Sequence, residues 1–150
     1  MTIAAILERK GPEVFSIEAS APVREAVRLL AARRIGALPV TEGGAVAGML
    51  SERDIIYCLA NEAETVLDRP VASVMTSPAV TVEPRVSVLA ALSDMSKRRI
   101  RHLPVVEGGR LVGIVSIGDL TRMDDEGQAA EVALSGVSEP GGEHNQSQEG

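Results

Sequence analysis

Two short segments carry the same pattern of a hydroxyl and a carboxylate. Residues 48–54 read Gly, two apolar residues, Ser51, two variable residues and Asp54, and residues 113–119 repeat this order with Ser116 and Asp119. Where such a segment joins a strand to a helix, the helix N-terminus offers N–H groups to a phosphate. The hydroxyl adds a hydrogen bond, and a carboxylate one turn further on accepts from both hydroxyls of a ribose. The pattern therefore suits a nucleotide.

The same four residues have a structural interpretation. Ser-x-x-Asp at the start of a helix resembles a capping box, in which the hydroxyl and the carboxylate satisfy N–H groups that the helix leaves unpaired. The glycine in front would then mark a β-bulge or a close approach of two segments. The pattern alone leaves both interpretations open.

The sequence lacks the signatures of catalysis. It has no Walker A loop, no His-Glu-x-x-His and no dinucleotide Gly-x-Gly-x-x-Gly. A triad of Ser116, His102 and Asp119 can be written, but no nucleophile elbow supports it. The single cysteine, Cys58, lies on an apolar helical stretch and excludes an internal disulfide or a cysteine-rich metal site. We expect no enzyme activity and no metal site.

The amino-acid composition excludes further classes of protein and of binding site. The 150 residues include no apolar run of the ~18 residues that would cross a bilayer, and no signal peptide is evident. With one cysteine, a reducing cytoplasm is the expected location. Phe15 and Tyr57 are the only aromatic residues. A flat ligand ring must therefore lie between aliphatic side chains, and stacking on nucleic-acid bases is not expected.

The charge is divided along the chain. Residues 1–122 hold all 15 basic and 14 of the 21 acidic residues, so the net charge of −6 comes from the segment that follows. A nearly neutral main part with an acidic tail argues against a nucleic-acid-binding face.

The chain contains an internal repeat, with an offset of 65 residues. Residues 14–55 align with residues 79–120 without a gap, and 15 of the 42 positions are identical, most of them clustered in one block. A leader at residues 3–7 resembles residues 71–75 at an offset of 68, so the first copy has three extra residues near Lys10.

Each copy predicts the same order of elements, β-α-β-β-α. A strand (14–17 and 79–82) precedes a helix with apolar residues three and four apart, which ends near a pair of arginines. Gly43-Gly44 and Gly108-Gly109 predict tight hairpins. Pro39 and Pro104 favour an edge strand or a strand start. A second helix follows each hairpin, at 53–60 and 117–123.

These elements predict a mixed α/β fold of two repeats packed about a pseudo-two-fold axis. The expected division is repeat 1 at residues 2–60, a linker at 61–70, repeat 2 at 71–123 and a disordered acidic tail at 124–150. Each repeat alone would expose one apolar sheet face, which packing against the other repeat covers.

The chain resembles a tandem pair of cystathionine β-synthase (CBS) domains, which is called a Bateman module. The resemblance rests on three features that each occur twice: the Leu-Pro-Val strand, the Gly-Gly hairpin and the pattern Gly-φ-φ-Ser-x-x-Asp. The resemblance covers residues 2–123. It implies an adenine nucleotide (AMP, ADP or ATP), or less commonly S-adenosylmethionine or NAD, held in clefts between the repeats. It also implies a flat disc-shaped homodimer.

The resemblance implies roles for individual residues. Ser51 and Ser116 would contact phosphate, and Asp54 and Asp119 would bind ribose. The aliphatic residues flanking the adenine would include Val80, Ile114 and Met49.

Basic residues before Leu-Pro occur in one copy only. Arg101-His102 precedes Leu-Pro in the second copy, where the first has Gly36-Ala37, so the two sites should differ. Arg101 and His102 are expected to supply charge to a phosphate. Arg53, inside the first Ser-x-x-Asp, can reach a phosphate or stand as an exposed helix cation.

Two functions follow from these features. One is a regulatory module that senses an adenine nucleotide and signals to an unidentified partner protein in trans. The alternative is a dimeric interaction scaffold that needs no ligand, with Ser-x-x-Asp serving only as a cap.

Overall fold

The computed structural model describes residues 1–122; the predicted acidic tail lies outside the described residues. The predicted mixed α/β repeat fold is confirmed. The elements are α1 (Ile3–Lys10), β1 (Ile17–Glu18), α2 (Val23–Arg33), β2 (Ala37–Glu42), β3 (Ala45–Ser51), α3 (Glu52–Glu62), α4 (Val88–Arg98), β4 (His102–Glu107), β5 (Arg110–Ser116) and α5 (Ile117–Arg122). Two 3₁₀ turns, Ala63–Asp68 and Val71–Ser73, connect the halves.

The hairpins form where the paired glycines predict them. Gly43 and Gly44 have φ of 61° and 88°, and Gly108 and Gly109 have φ of 60° and 79°. Positive φ at both central residues is the geometry of the tight turn that suits the twist of two antiparallel strands. β2 pairs with β3, and β4 with β5, in matching registers. Each hairpin therefore carries its Ser-x-x-Asp segment to the same place.

The predicted first strands are much shorter than expected. Only Ile17–Glu18 forms a strand in the first copy, and Val82 makes a single parallel bridge to Val105 in the second. The Val82 N–H donates to the Pro104 carbonyl at 3.0 Å. Pairing further upstream would need an N–H on Pro104, and proline has none.

Proline position differs from the sequence expectation as well. Pro39 is the third residue of β2, the middle strand in the order β1-β2-β3, and is neither at an edge nor at a strand start. A middle strand tolerates this proline because its other neighbour, β1, pairs with β2 only at Val40 and Thr41.

The first helix of each repeat ends where its arginine pair predicts. α2 and α4 end at Arg33 and Arg98, and the next residues, Arg34 and Arg99, adopt the left-handed conformation with φ of 56°. Each turn leads directly into the next strand, β2 or β4, and so sets the position of the residues before Leu-Pro.

The two cores exchange their leader segments. Ile3 and Ile6 of α1 are fully buried in the core of the second repeat, beside Leu92 and Leu103. Val71, from the connection between the repeats, is fully buried in the core of the first. This exchange brings the end of α1 to the second Ser-x-x-Asp, and the segment after Val71 to the first.

Candidate functional site

A cavity of about 340 Å³ lies between the repeats at the N-terminus of α3. We call it the first cleft. It gathers residues from both repeats, and seven of the sequence-predicted site residues line it: Met49, Ser51, Arg53, Asp54, Val80, Arg101 and His102.

Ser51 and Asp54 form a capping box at the start of α3. The Asp54 N–H donates to the Ser51 hydroxyl oxygen at 3.1 Å, and the Ser51 N–H donates to Asp54 Oδ2 at 2.9 Å. The structural interpretation of the pattern is therefore correct for the first repeat. The second carboxylate oxygen, Oδ1, is 3.5 Å from the Thr76 hydroxyl, at the limit of a hydrogen bond. Asp54 is partly exposed, and Oδ1 is the oxygen that the cap does not use.

The second Ser-x-x-Asp lines a smaller cavity of about 220 Å³, the second cleft. Ser116 and Asp119 repeat the capping box, with distances of 3.0 and 2.9 Å. Ile114 and His102 also line this cleft, so His102 borders both.

Asp119 differs from Asp54 in its surroundings. Its side chain is fully buried, and two cations reach it: Lys10 Nζ is 2.8 Å from Oδ2, and Arg122 Nη2 is 3.0 Å from Oδ1. Lys10 Nζ also donates to the Ile114 carbonyl at 2.8 Å. Both carboxylate oxygens of Asp119 are thus engaged.

Neither cation has a counterpart in the first repeat. At the offset of the leader, Lys10 corresponds to Pro78, and at the offset of the repeat, Arg122 corresponds to Tyr57. The two sites differ, as the sequence predicts, but mainly through Lys10, which the sequence reasoning missed. The three extra residues near Lys10 in the first copy were the available signal.

Arg101 lines the cleft of the other repeat's aspartate. It belongs to the second repeat but borders the first cleft together with Ser51 and Asp54. Gly36 and Ala37, which hold the corresponding positions in the first repeat, line the same cleft. Arg99, also from the second repeat, lines this cleft too, so cations of one repeat and the carboxylate of the other border one cavity.

His102 is neutral at physiological pH. Burial lowers the pKa of its imidazole from 6.5 to about 4, against the opposing effect of the Asp119 carboxylate. Lys10 and Arg101 lower this pKa further. The expected charged role of His102 is therefore not favoured in the folded protein, where a neutral ring offers a phosphate a hydrogen bond.

Gly48 faces protein and not the cleft. A Cβ at this position would lie 2.6 Å from the Thr76 carbonyl oxygen. The strand also shifts register here, between Val40 and Thr41 of its partner. Both structural explanations of this glycine are correct, because it adjoins a bulge and allows Thr76 to pair with Met49 through two backbone hydrogen bonds of 2.9 and 2.8 Å.

Two kinds of feature are missing from residues 1–122. No group of three or more His, Cys, Asp or Glu side chains there is arranged to hold a metal ion. Within the same residues, no helix has the length and apolar character needed to span a membrane.

Comparison with known proteins identifies the family. Residues 8–61 and 71–126 each match the CBS domain. The chain belongs to the CBS domain family. The CBS domain-containing protein YhcV of Bacillus subtilis is 31% identical over 139 residues, which cover 91% of this chain and 96% of that protein. The mitochondrial protein CBSX3 of Arabidopsis thaliana is 35% identical over 105 residues, which cover 67% of this chain and 51% of that protein.

Solved CBS structures share the fold. The CBS-domain protein ATU1752 of Agrobacterium tumefaciens has a TM-score of 0.74 at 34% identity, covering 81% of this chain and 98% of that chain. The CBS domain pair of protein MJ0100, solved in complex with 5-methylthioadenosine and S-adenosyl-L-methionine, has a TM-score of 0.71 at 26% identity, covering 82% and 94%. A hexameric CBS-CP12 protein from bloom-forming cyanobacteria has a TM-score of 0.71 at 28% identity, covering 83% and 72%.

Proposed function

We propose that this CBS pair is a regulatory module that binds an adenine nucleotide (AMP, ADP or ATP) in its first cleft and signals to a partner protein in trans. The observation that carries the proposal is Asp54, whose Oδ2 caps α3 while Oδ1 lies 3.5 Å from the Thr76 hydroxyl in the wall of the cleft. An ionised carboxylate oxygen is a strong acceptor for ribose hydroxyls.

The remaining parts of a nucleotide have matching groups in the first cleft. The Ser51 hydroxyl oxygen accepts from the Asp54 N–H and retains its own O–H to donate to a phosphate. Arg101 brings a permanent positive charge to the same cavity. Val80 and Met49 supply aliphatic surface for the adenine ring. Each part of the ligand thus has a chemically suitable partner.

Cavity size supports one ligand in this cleft. Its volume of about 340 Å³ lies inside the range of roughly 300–1,000 Å³ typical of small-molecule sites.

Both ligands of the MJ0100 pair contain an adenosine group. S-adenosylmethionine and NAD also contain adenosine, so they are the second choices for this chain.

The test is isothermal titration calorimetry with AMP, ADP, ATP, S-adenosylmethionine, NAD and GTP. Asp54→Asn is the informative variant, because the amide oxygen can still accept from the Ser51 N–H while an NH₂ replaces the acceptor on the cleft side. We expect wild type to bind an adenine ligand and not GTP, and Asp54→Asn to lose at least tenfold in affinity. Absence of binding to every ligand would refute the proposal.

The alternative, a dimeric scaffold, has its own supporting observation. An apolar groove of about 700 Å³ runs between α2 and α3, and its residues include Leu30, Ile55 and Leu59. Ile56, which also lines it, is 57% exposed. A surface of this kind fits a second copy of the chain, and we propose a homodimer for both functions. A stable dimer that binds no nucleotide would favour the scaffold.

A further inference from the structure

We propose that Lys10 is a built-in occupant of the second cleft and limits the chain to one nucleotide. This inference rests on the proposed function, because it concerns the cleft that the same ligand would otherwise fill. It starts from an ion pair between residues 109 positions apart, Lys10 and Asp119.

Lys10 holds the group that a ribose would need. Asp119 corresponds to Asp54, but its Oδ2 accepts from Lys10 Nζ at 2.8 Å as well as from the Ser116 N–H at 2.9 Å. Its Oδ1 accepts from Arg122 at 3.0 Å. The ammonium also donates to the Ile114 carbonyl on the wall of the cleft. A ribose hydroxyl would therefore have to displace Lys10.

Displacement would be unfavourable. Asp119 is fully buried and the Lys10 side chain is only 22% exposed, so the pair is largely shielded from water. Displacing Lys10 would leave Arg122 as the remaining counter-charge of the buried Asp119 carboxylate, and losing part of a buried ionic cluster costs more than a surface pair contributes. Ribose hydroxyls are neutral and cannot replace the ammonium as a counter-charge for Asp119.

The backbone holds Lys10 in place. It is the last residue of α1, whose buried Ile3 and Ile6 anchor the helix in the second repeat. Gly11 ends the helix at φ 95°, and its N–H donates to the Leu7 carbonyl. The residue that corresponds to Lys10 beside the first cleft is Pro78, so among residues 1–122 the leader supplies no ammonium to that cleft.

Volume gives an independent indication. With Lys10 in place, the second cleft measures about 220 Å³, below the usual lower bound of roughly 300 Å³ for a small-molecule site. The first cleft, which has no lysine among its described lining residues, measures about 340 Å³.

The experiment is calorimetric stoichiometry on the full chain, titrated with ATP and AMP to about one hundred times the dissociation constant of the first site. We expect one site per chain for wild type and two for Lys10→Met, because a neutral and flexible methionine side chain is not held to Asp119 and can turn out of the cleft. Arg122 still pairs with Asp119 in that variant and supports its folding. Lys10→Arg, the matched control, should retain one site.

The Asp54→Asn variant distinguishes a failure of this inference from a failure of the proposed function. Asp54→Asn should bind nucleotide at least tenfold more weakly than wild type, and adding Lys10→Met should restore one site through the second cleft. Wild type without any site would refute nucleotide binding in the first cleft, whereas the lysine proposal would still be judged by Lys10→Met. Two sites in wild type, or no added site in both Lys10→Met and the milder Lys10→Gln, would overturn it.

Discussion

Asp54 and Asp119 hold the same position in the two repeats and make the same two capping hydrogen bonds, yet only Asp119 is fully buried and paired with cations. One short pattern thus serves two purposes. In the second repeat both carboxylate oxygens accept from cations, and in the first repeat one oxygen remains on the wall of a cleft. The difference comes from Lys10 and Arg122, which lie outside the pattern.

Asp119→Asn should therefore destabilise the protein much more than Asp54→Asn. Loss of the Asp119 charge leaves the partly buried Lys10 and Arg122 without their counter-charge, and we expect a cost of about 3 kcal/mol. Asp54→Asn keeps an acceptor for the Ser51 N–H and should cost less than about 1 kcal/mol. Urea unfolding of both variants measures the difference. Equal losses would contradict the distinction between the two aspartates.

Gly48→Ala should destabilise more than Gly113→Ala. At Gly48 a new Cβ would lie 2.6 Å from the Thr76 carbonyl oxygen, which is backbone and can move only with its segment. At Gly113 the nearest atoms belong to the Leu7 side chain, at 2.7 Å, and that side chain can rotate. We expect about 1–3 kcal/mol for Gly48→Ala and less for Gly113→Ala.

The same glycine pair tests the first cleft. Because Thr76 lines that cleft, Gly48→Ala should also weaken nucleotide binding, whereas Gly113→Ala should not. Thermal unfolding and titration calorimetry on each variant would show this. A ligand affinity unchanged in Gly48→Ala would mean that the position of Thr76 does not shape the cleft.

Arg101→Ala should lower nucleotide affinity by at least tenfold. A hydrogen bond to a charged group contributes about 1.5–3 kcal/mol, and Arg101 is one of two arginines, with Arg99, that the second repeat brings to the first cleft. Arg53→Ala is the matched control, because Arg53 lines the same cleft as an exposed residue and should change affinity less than about fivefold. Calorimetry with ATP measures both. A larger effect of Arg53→Ala than of Arg101→Ala would mean that the phosphate contacts Arg53 on α3.

The sequence predicts the parts of the fold that local residues determine. The hairpins follow from Gly43-Gly44, because positive φ is a property of those two positions. The end of α2 follows from the arginine pair in the same way. The length of the first strands was predicted wrongly, because it depends on which strand they pair with: Val82 lies beside Pro104, which has no N–H to donate.

Long-range contacts are what sequence reasoning missed. Lys10 and Asp119 are far apart in the chain and meet only because the leader helix joins the core of the other repeat. Nothing in the repeat itself predicts this exchange. The same holds for Arg101, whose cleft depends on how the repeats face each other.

Ile56→Glu should convert a homodimer into a monomer. Ile56 is 57% exposed on α3 and borders the apolar groove, so a carboxylate there would have to be buried without a partner in a dimer. Val112→Glu is the control, because Val112 is 40% exposed on β5, away from the groove. Light scattering after size exclusion gives the mass of each. A dimeric Ile56→Glu would place the interface elsewhere.

His102 should make stability depend on pH in a defined window. Its pKa is about 4 in the folded protein and 6.5 ordinarily, so between these values the unfolded chain binds the extra proton. The free energy of unfolding should therefore rise with pH from about 4 to 6.5, by at most about 3 kcal/mol, and be fully present above 6.5.

The control for this prediction is His102→Gln, which keeps a polar group that does not titrate. Carboxylates also titrate toward the acid end of the window, so the informative quantity is the difference between the two pH profiles. His144, the other histidine of the chain, is present in both proteins and cancels. Urea unfolding between pH 4 and 8 should give a steeper profile for wild type. Parallel profiles would mean that the imidazole is as easily protonated in the folded protein as in the unfolded chain.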